Sequence, residues 1–137
     1  MSKGNTTEND LLQLFFNSVA LSWNAVSTLY VSLHTADPGE AGSQTTSEAT
    51  YTSYARVGVT RSGTSGWTVS GASASNAALL QFPQCTGGSN VLTYVAIGTA
   101  ISGAGQILYS GALNSSLTVS NLIQPQFSIG SLSTTED

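Results

Sequence analysis

Few groups in this chain could do chemistry. It holds one histidine, His34, one cysteine, Cys85, three basic residues and seven acidic ones. A thiolate–imidazole nucleophile pair needs its Cys and His within hydrogen-bond reach. His34 and Cys85 stand 51 positions apart, on a predicted strand and in a predicted loop, so only the fold could join them. The expected reading is a strand-edge histidine and a half-buried thiol. A structural zinc site takes about four N or S ligands, and these two residues are all the chain offers. Asp37, Glu40 and Glu48 share one loop, yet without the spacing of a calcium-binding hand, and are expected to solvate it. Paired carboxylates for glycoside hydrolysis would have to come from that loop or from the two termini, because no acid lies between Glu48 and Glu136. Gly103-Ala104-Gly105 precedes a predicted strand and not a helix, which is the wrong context for a dinucleotide site. The only lysine is Lys3, so there is no phosphate-cradling loop with its lysine. Trp67, Tyr51, Tyr54, Tyr94 and Tyr109 could stack on sugars, although Trp67 at the start of a short strand is expected to pack on a sheet edge. The expectation is a protein that is not an enzyme and carries no metal or cofactor.

The chain is as notable for what it lacks. From Ser62 to Thr135, 74 consecutive residues include no Asp, Glu, Lys or Arg. Charged residues make up 7% of the sequence, against about one quarter in an ordinary soluble domain. Ser and Thr number 39 and Gly 14, while hydrophobic residues remain at 40% and the net charge is −4. Disorder couples low hydrophobicity to high net charge, so this composition reads as an ordered, neutral-polar domain. Two Arg and one Lys are too few to neutralise phosphates, which argues against nucleic acid. No apolar run approaches the roughly 20 residues of a membrane span. The N-terminus lacks the basic and cleavage-site pattern of a signal peptide, and a single cysteine cannot form an internal disulfide. Synthesis in a reducing cytoplasm is expected.

The positioning elements can be read from periodicity. Residues 1–6 are expected to be a flexible N-terminus, with one domain over 7–137. Thr7-Glu8-Asn9-Asp10 resembles a capping box with Asp in place of Glu. Leu11, Leu12, Phe15, Phe16 and Val19 then form an apolar face, so a helix is expected over about 7–20. The period changes at Leu29, Val31 and Leu33, which alternate with Tyr30, Ser32 and His34 as in a half-buried strand. Asp37-Pro38-Gly39 is turn chemistry, and residues 35–53 read as a long exposed loop. Further strands are expected at about 54–61, 66–70, 77–82, 91–98, 106–113, 116–120 and 125–132, with glycine-rich turns between them. The fold expected is mainly β: an antiparallel sandwich or jelly-roll-like barrel of about eight strands with one N-terminal helix.

A charge-free exterior is inexpensive to desolvate, and interface centres are depleted in charge and enriched in aromatics. It also lacks the lysines that protect sheet edges. Such a surface is expected to be covered by neighbours. Candidate interface residues are Phe15, Phe16, Trp23, Tyr30, Tyr51, Tyr54 and Trp67. The first four are also natural core residues.

The run Leu29-Tyr30-Val31-Ser32-Leu33-His34-Thr35-Ala36-Asp37-Pro38-Gly39 resembles a recurring motif of small tailed-bacteriophage virion proteins. Tyr54-Ala55-Arg56-Val57, Gly66-Trp67-Thr68-Val69-Ser70, Ser75-Asn76-Ala77-Ala78, Gln81-Phe82-Pro83-Gln84-Cys85, Leu108-Tyr109-Ser110-Gly111-Ala112-Leu113 and Pro125-Gln126-Phe127 extend the likeness over most of the chain. Proteins of this kind are labelled tail-fibre-like, or capsid decoration and cement proteins. The resemblance implies a structural virion protein with no catalytic residues. Its short, repeat-free form favours a capsid decoration protein on the capsid surface of the virion. The implied partners are the major capsid protein and further copies of itself, as a dimer or trimer. A tail-fibre or baseplate component touching a host glycan is the alternative.

Overall fold

The alternating stretch around Val31 becomes the middle of the fold. In the computed structural model, which describes residues 1–137, Thr28–His34 forms strand β2 and lies inside a five-stranded antiparallel sheet. The sheet runs β1 (Ser2–Lys3), β8 (Ile107–Val119), β7 (Asn90–Gly98), β2, β3 (Val57–Thr60). A second sheet orders β10 (Ser133–Thr135), β5 (Ser73–Asn76) and β4 (Trp67–Ser70), and a third pairs β6 (Leu80–Gln81) with β9 (Gln126–Phe127). Every strand pairing is antiparallel. Of the two architectures expected from sequence, the molecule is the sandwich-like one, mainly β with a single helix near its N-terminus.

The period-2 pattern decides which way β2 faces. Val31 and Leu33 sit opposite Ile97 and Val95 of β7, and all four are buried in the core. Leu80 from β6, Phe82, Leu132 and the partly buried Trp67 and Phe127 close over that face from the smaller sheets. Tyr51, Tyr54, Phe82 and Phe127 run through this layer as a chain of edge-on and stacked rings. The other face of β2 carries Ser32 and His34, buried as deeply. Ser32, Ala96 and Ser110 line up across three strands and are all shielded from solvent.

Several elements differ from expectation. The strands expected at 106–113 and 116–120 are one long strand, β8. Its pairing with β7 jumps from Leu92–Leu117 to Tyr94–Ala112, so residues between these pairs bulge out of register. β5 and β10 are made of Ser, Thr, Ala and Asn and carry no apolar alternation to announce them. Residues 1–6 are not left loose. Ser2 and Lys3 pair with Ser110 and Tyr109, and Lys3 forms an ion pair with Glu136. The 35–53 segment is a loop exposed along much of its length, but it is tied down. It folds back along the sheet through bridges at His34–Glu48, Ser43–Gln106 and Thr52–Gly87, and it buries Gln44, Ala49 and Tyr51. Its backbone groups need partners once covered, and the sheet supplies them.

The helix, α1, spans Asn5–Asn17, earlier than the capping-box reading placed it. Gly4 is the N-cap residue, and a Cβ there would stand 2.6 Å from the Ile107 carbonyl oxygen, so only glycine lets the chain pass. Thr7 is therefore inside the helix, where its hydroxyl donates to the Ile107 carbonyl and accepts from the Gln106 amide. At the far end Ser18 takes a left-handed conformation and the Val19 N–H reaches the Gln13 carbonyl at 3.1 Å, which closes the helix.

Candidate functional site

Two sites could do work, and the first is internal. His34 is held between Ser32 and Thr46. Its Nδ1 lies 2.8 Å from the Thr46 carbonyl oxygen, which can only accept, so Nδ1 carries the proton. Nε2 then accepts from the Ser32 hydroxyl at 2.9 Å. Gln44 donates to the Tyr30 carbonyl and towards Ser32, and accepts from the Ala100 N–H. Gly98 allows this approach, since a Cβ there would stand 2.2 Å from the Gln44 side chain. Burial holds His34 below its usual pKa, against the Thr46 carbonyl and Glu48, with Arg56 helping to lower it. A serine hydroxyl on a neutral imidazole is the geometry of an activated nucleophile. Here both side chains are wholly shielded from solvent.

Beside this cluster Arg56 forks onto Glu48, with Nε to Oε1 at 2.6 Å and Nη2 to Oε2 at 2.8 Å. The same guanidinium caps the Ala100 and Gly103 carbonyls. Tyr54 donates to Glu48 and accepts from the Leu33 N–H, and burial raises its pKa. Tyr51 donates to the Pro83 carbonyl, and burial, then Cys85, push its pKa up to about 12. Cys85 is fully buried, with its thiol 3.2 Å from the Gly87 carbonyl oxygen. The ring nitrogens of His34 and the thiol of Cys85 thus face different partners, and the nucleophile pair does not form.

The second site faces outward. Thr7 and Asp10 turn to the start of β8, where Gln106 bonds both, and Leu11 is partly covered. That fixes the rotation of α1. Leu12, Phe15 and Phe16 consequently point away from the sheet, with Phe15 71% and Phe16 79% exposed, and Val19 just beyond the helix is also exposed. Glu8 heads the same stripe, four residues before Leu12. The apolar face read from sequence exists, but it covers nothing in its own chain. Other exposed apolar residues, such as Val69, Ile101, Leu122 and Ile129, belong to separate elements, and single ones are ordinary.

At one end of the core the sandwich is incompletely filled. A pocket of about 340 Å³ opens between the five- and three-stranded sheets, walled by Leu29, Ile97, Trp67, Val69 and Ala74 with Arg61 among its lining residues. Trp67 Nε1 and Thr134 Oγ1, two buried polar atoms without a hydrogen-bond partner, belong to residues of this wall. Tyr109 also lines it, so the structure does bring Trp67 and one tyrosine together.

The seven candidate interface residues therefore separate. Phe15 and Phe16 are exposed, where a core position was the more natural expectation. Trp23 is half-buried, with its Nε1 donating to Asp10 and the Arg61 guanidinium 5.3 Å over its ring. Tyr30 is half-buried beside Gly58. Tyr51 and Tyr54 have their rings in the core and their hydroxyls engaged inside it. Trp67 lines the pocket. Sequence reasoning missed Arg61. Lys3 and Arg56 each have an acidic partner, whereas Arg61 uses Nη1 on the Trp23, Asn24 and Val26 carbonyls and meets no carboxylate. Nothing in the sequence marks which of three cations stays unpaired.

A sandwich-like β domain with an unpartnered apolar helix face on a nearly uncharged exterior has the build of a subunit that works inside an assembly. The family model described as podophage GP4 fiber I protein gp80 matches residues 2–135, and the chain belongs to that family of tailed-phage virion structural proteins. No curated protein matches the chain.

Proposed function

We propose that this protein is a non-enzymatic subunit of a virion fibre, joined to its neighbours through neutral and apolar surface. The observation that carries the reading is the outward stripe of Leu12, Phe15 and Phe16 on a helix anchored by its polar side. The family description, a fibre protein, supports placing it on a fibre. The groups that could form an activated nucleophile are enclosed, which fits a structural role. Ser32, His34 and Cys85 are sealed in, and Glu48 is bound to Arg56. Trp67 and Tyr109 at one pocket leave room for contact with a host glycan, although its walls are mostly aliphatic.

Capsid decoration is the second reading, favoured by form. The longest strand has 13 residues, and no part of the fold is a shaft. In that role the protein would bind assembled major capsid protein better than free subunits and stabilise the shell by mass action, with many identical contacts acting together. Gold-labelling the protein in purified virions, then separating heads from tails, tests the choice. Label on tail fibres is expected; label that stays with tail-free heads would replace the fibre reading with the decoration one.

A further inference from the structure

We propose that the outward face of α1 seats in the apolar pocket of a second copy of this chain, with Glu8 of one copy meeting Arg61 of the other. The inference deepens the assembly reading and rests on it. Three features of the fold lack a counterpart within the chain and a fourth, Arg61, held on three carbonyls and the Trp23 ring, lacks an acidic one; one contact provides all four. Phe15, Phe16 and Leu12 are apolar projections with nothing over them. The pocket between the sheets is an apolar recess with nothing in it, of a volume that takes aromatic side chains. Glu8 is an exposed carboxylate with no hydrogen-bond or ion-pair partner, and it stands at the head of the projecting stripe. Arg61 lines the recess as the one cation in the chain without an acidic partner, and its Nε and Nη2 are free.

The match is in pattern as well as in kind. On the helix an acid adjoins apolar residues along one stripe; at the pocket a base adjoins apolar walls. On a chain with so few charges, one complementary pair does much to fix orientation, because charges across an interface set register and exclude wrong partners. Buried aromatic anchors inside a rim of polar contacts are the usual energetic centre of such interfaces. Projection and recess lie on the same chain, so each copy offers both. The contact closes into a reciprocal dimer or propagates from copy to copy, and either suits a fibre.

Sedimentation of the purified full-length chain across a concentration series tests this. Self-association is expected for the wild type. Phe16→Ala, a change at a side chain that is 79% exposed, is expected to weaken association about tenfold or more. Glu8→Arg and Arg61→Glu are each expected to sediment as monomers, and an equimolar mixture of the two to associate again. Ala74→Phe, which fills the recess without altering charge, covers the case in which Arg61→Glu disturbs its loop; it too is expected to give monomers. A wild type that stays monomeric at all concentrations would overturn the proposal, as would association unmoved by Phe16→Ala and Ala74→Phe. Neither result bears on where label sits in the virion, so the fibre reading stands or falls separately.

Discussion

The two sides of the molecule treat their demanding residues in opposite ways. Behind β2, polar groups that would be costly to bury are all answered from within: His34 by Thr46 and Ser32, Gln44 by Tyr30 and Ala100, Arg56 by Glu48 and two carbonyls. On α1 and at the pocket, apolar groups that would gain from burial are left in the open. An unsatisfied buried polar atom penalises the isolated chain by about 1–3 kcal/mol, so folding cannot leave many. An exposed phenylalanine costs the isolated chain little beyond the contact it forgoes, and a neighbour can supply that contact later. What the fold closes is what it must close to exist alone. What it leaves open is where another molecule adds most.

The strongest way to break this comparison is at Arg56. Its side chain is almost wholly buried and Glu48 is mostly so. Removing one partner of a buried pair leaves an uncompensated charge, which costs about 3–5 kcal/mol in fully buried cases. Arg56→Ala is expected to lose about 3 kcal/mol in urea unfolding, since Glu48 keeps some contact with water and its bond from Tyr54. Replacing both partners, Arg56→Met with Glu48→Gln, is expected to cost less than the single change. A single change costing under about 1 kcal/mol would mean the pair behaves as a surface one, and the inner side would lose its distinction.

How much of this could be read from the sequence follows from the same contrast. Alternation at Leu29–Leu33 revealed the central strand β2, because Val31 and Leu33 meet the core. Such short runs between glycine-rich turns indicated the β class, and the stripe from Leu11 to Val19 the single helix, while sandwich and barrel both stayed open. The rotation of α1 was hidden, because it is set by Thr7 and Asp10 bonding to Gln106 and Ile107, about a hundred positions away. An apolar stripe says that a face wants cover, not whose cover it receives. The anchoring of segment 35–53 was hidden for a related reason: its Ser, Thr and Gly read as solvent-facing loop, and many are, yet Gln44 is drawn inside by glycines at 98 and 105 that leave it space. β5 and β10 had no apolar signal at all. The seven candidate aromatics were chosen by residue type, which could not separate Tyr51, in the core, from Phe16, in water.

A pH series sharpens the comparison with a smaller effect. His34 is neutral in the fold, with Nε2 accepting from Ser32, and burial lowers its pKa from the ordinary 6.5. Below about pH 6.5 the unfolded chain takes up a proton that the folded chain refuses. The unfolded state then binds more protons, so stability rises with pH through this window and falls on acidification. The loss continues down to the folded pKa and stops there. One group gives at most about 1.4 kcal/mol per pH unit. Since His34 is the only histidine, unfolding free energies between pH 5.5 and 7 are expected to carry this slope, and His34→Asn is expected to flatten it. A flat wild-type profile over that range would show the imidazole reachable by solvent in the folded state.

The smallest expected effect is the most telling for the outer side. Phe15→Ser with Phe16→Ser removes two aromatic rings, a change that would cost several kcal/mol in a core. Measured at concentrations where the chain is monomeric, so that no partner adds stability by mass action, it is expected to alter the unfolding free energy by no more than about 0.5 kcal/mol. Both rings are mostly in water, and α1 is held by Thr7, Asp10 and the left-handed closing turn at Ser18, none of which the changes touch. Ser and Phe rank alike in helix propensity, so the exchange itself changes little. A loss above about 2 kcal/mol would mean that the stripe packs on its own chain in solution, and the helix would then belong with the closed side of the molecule.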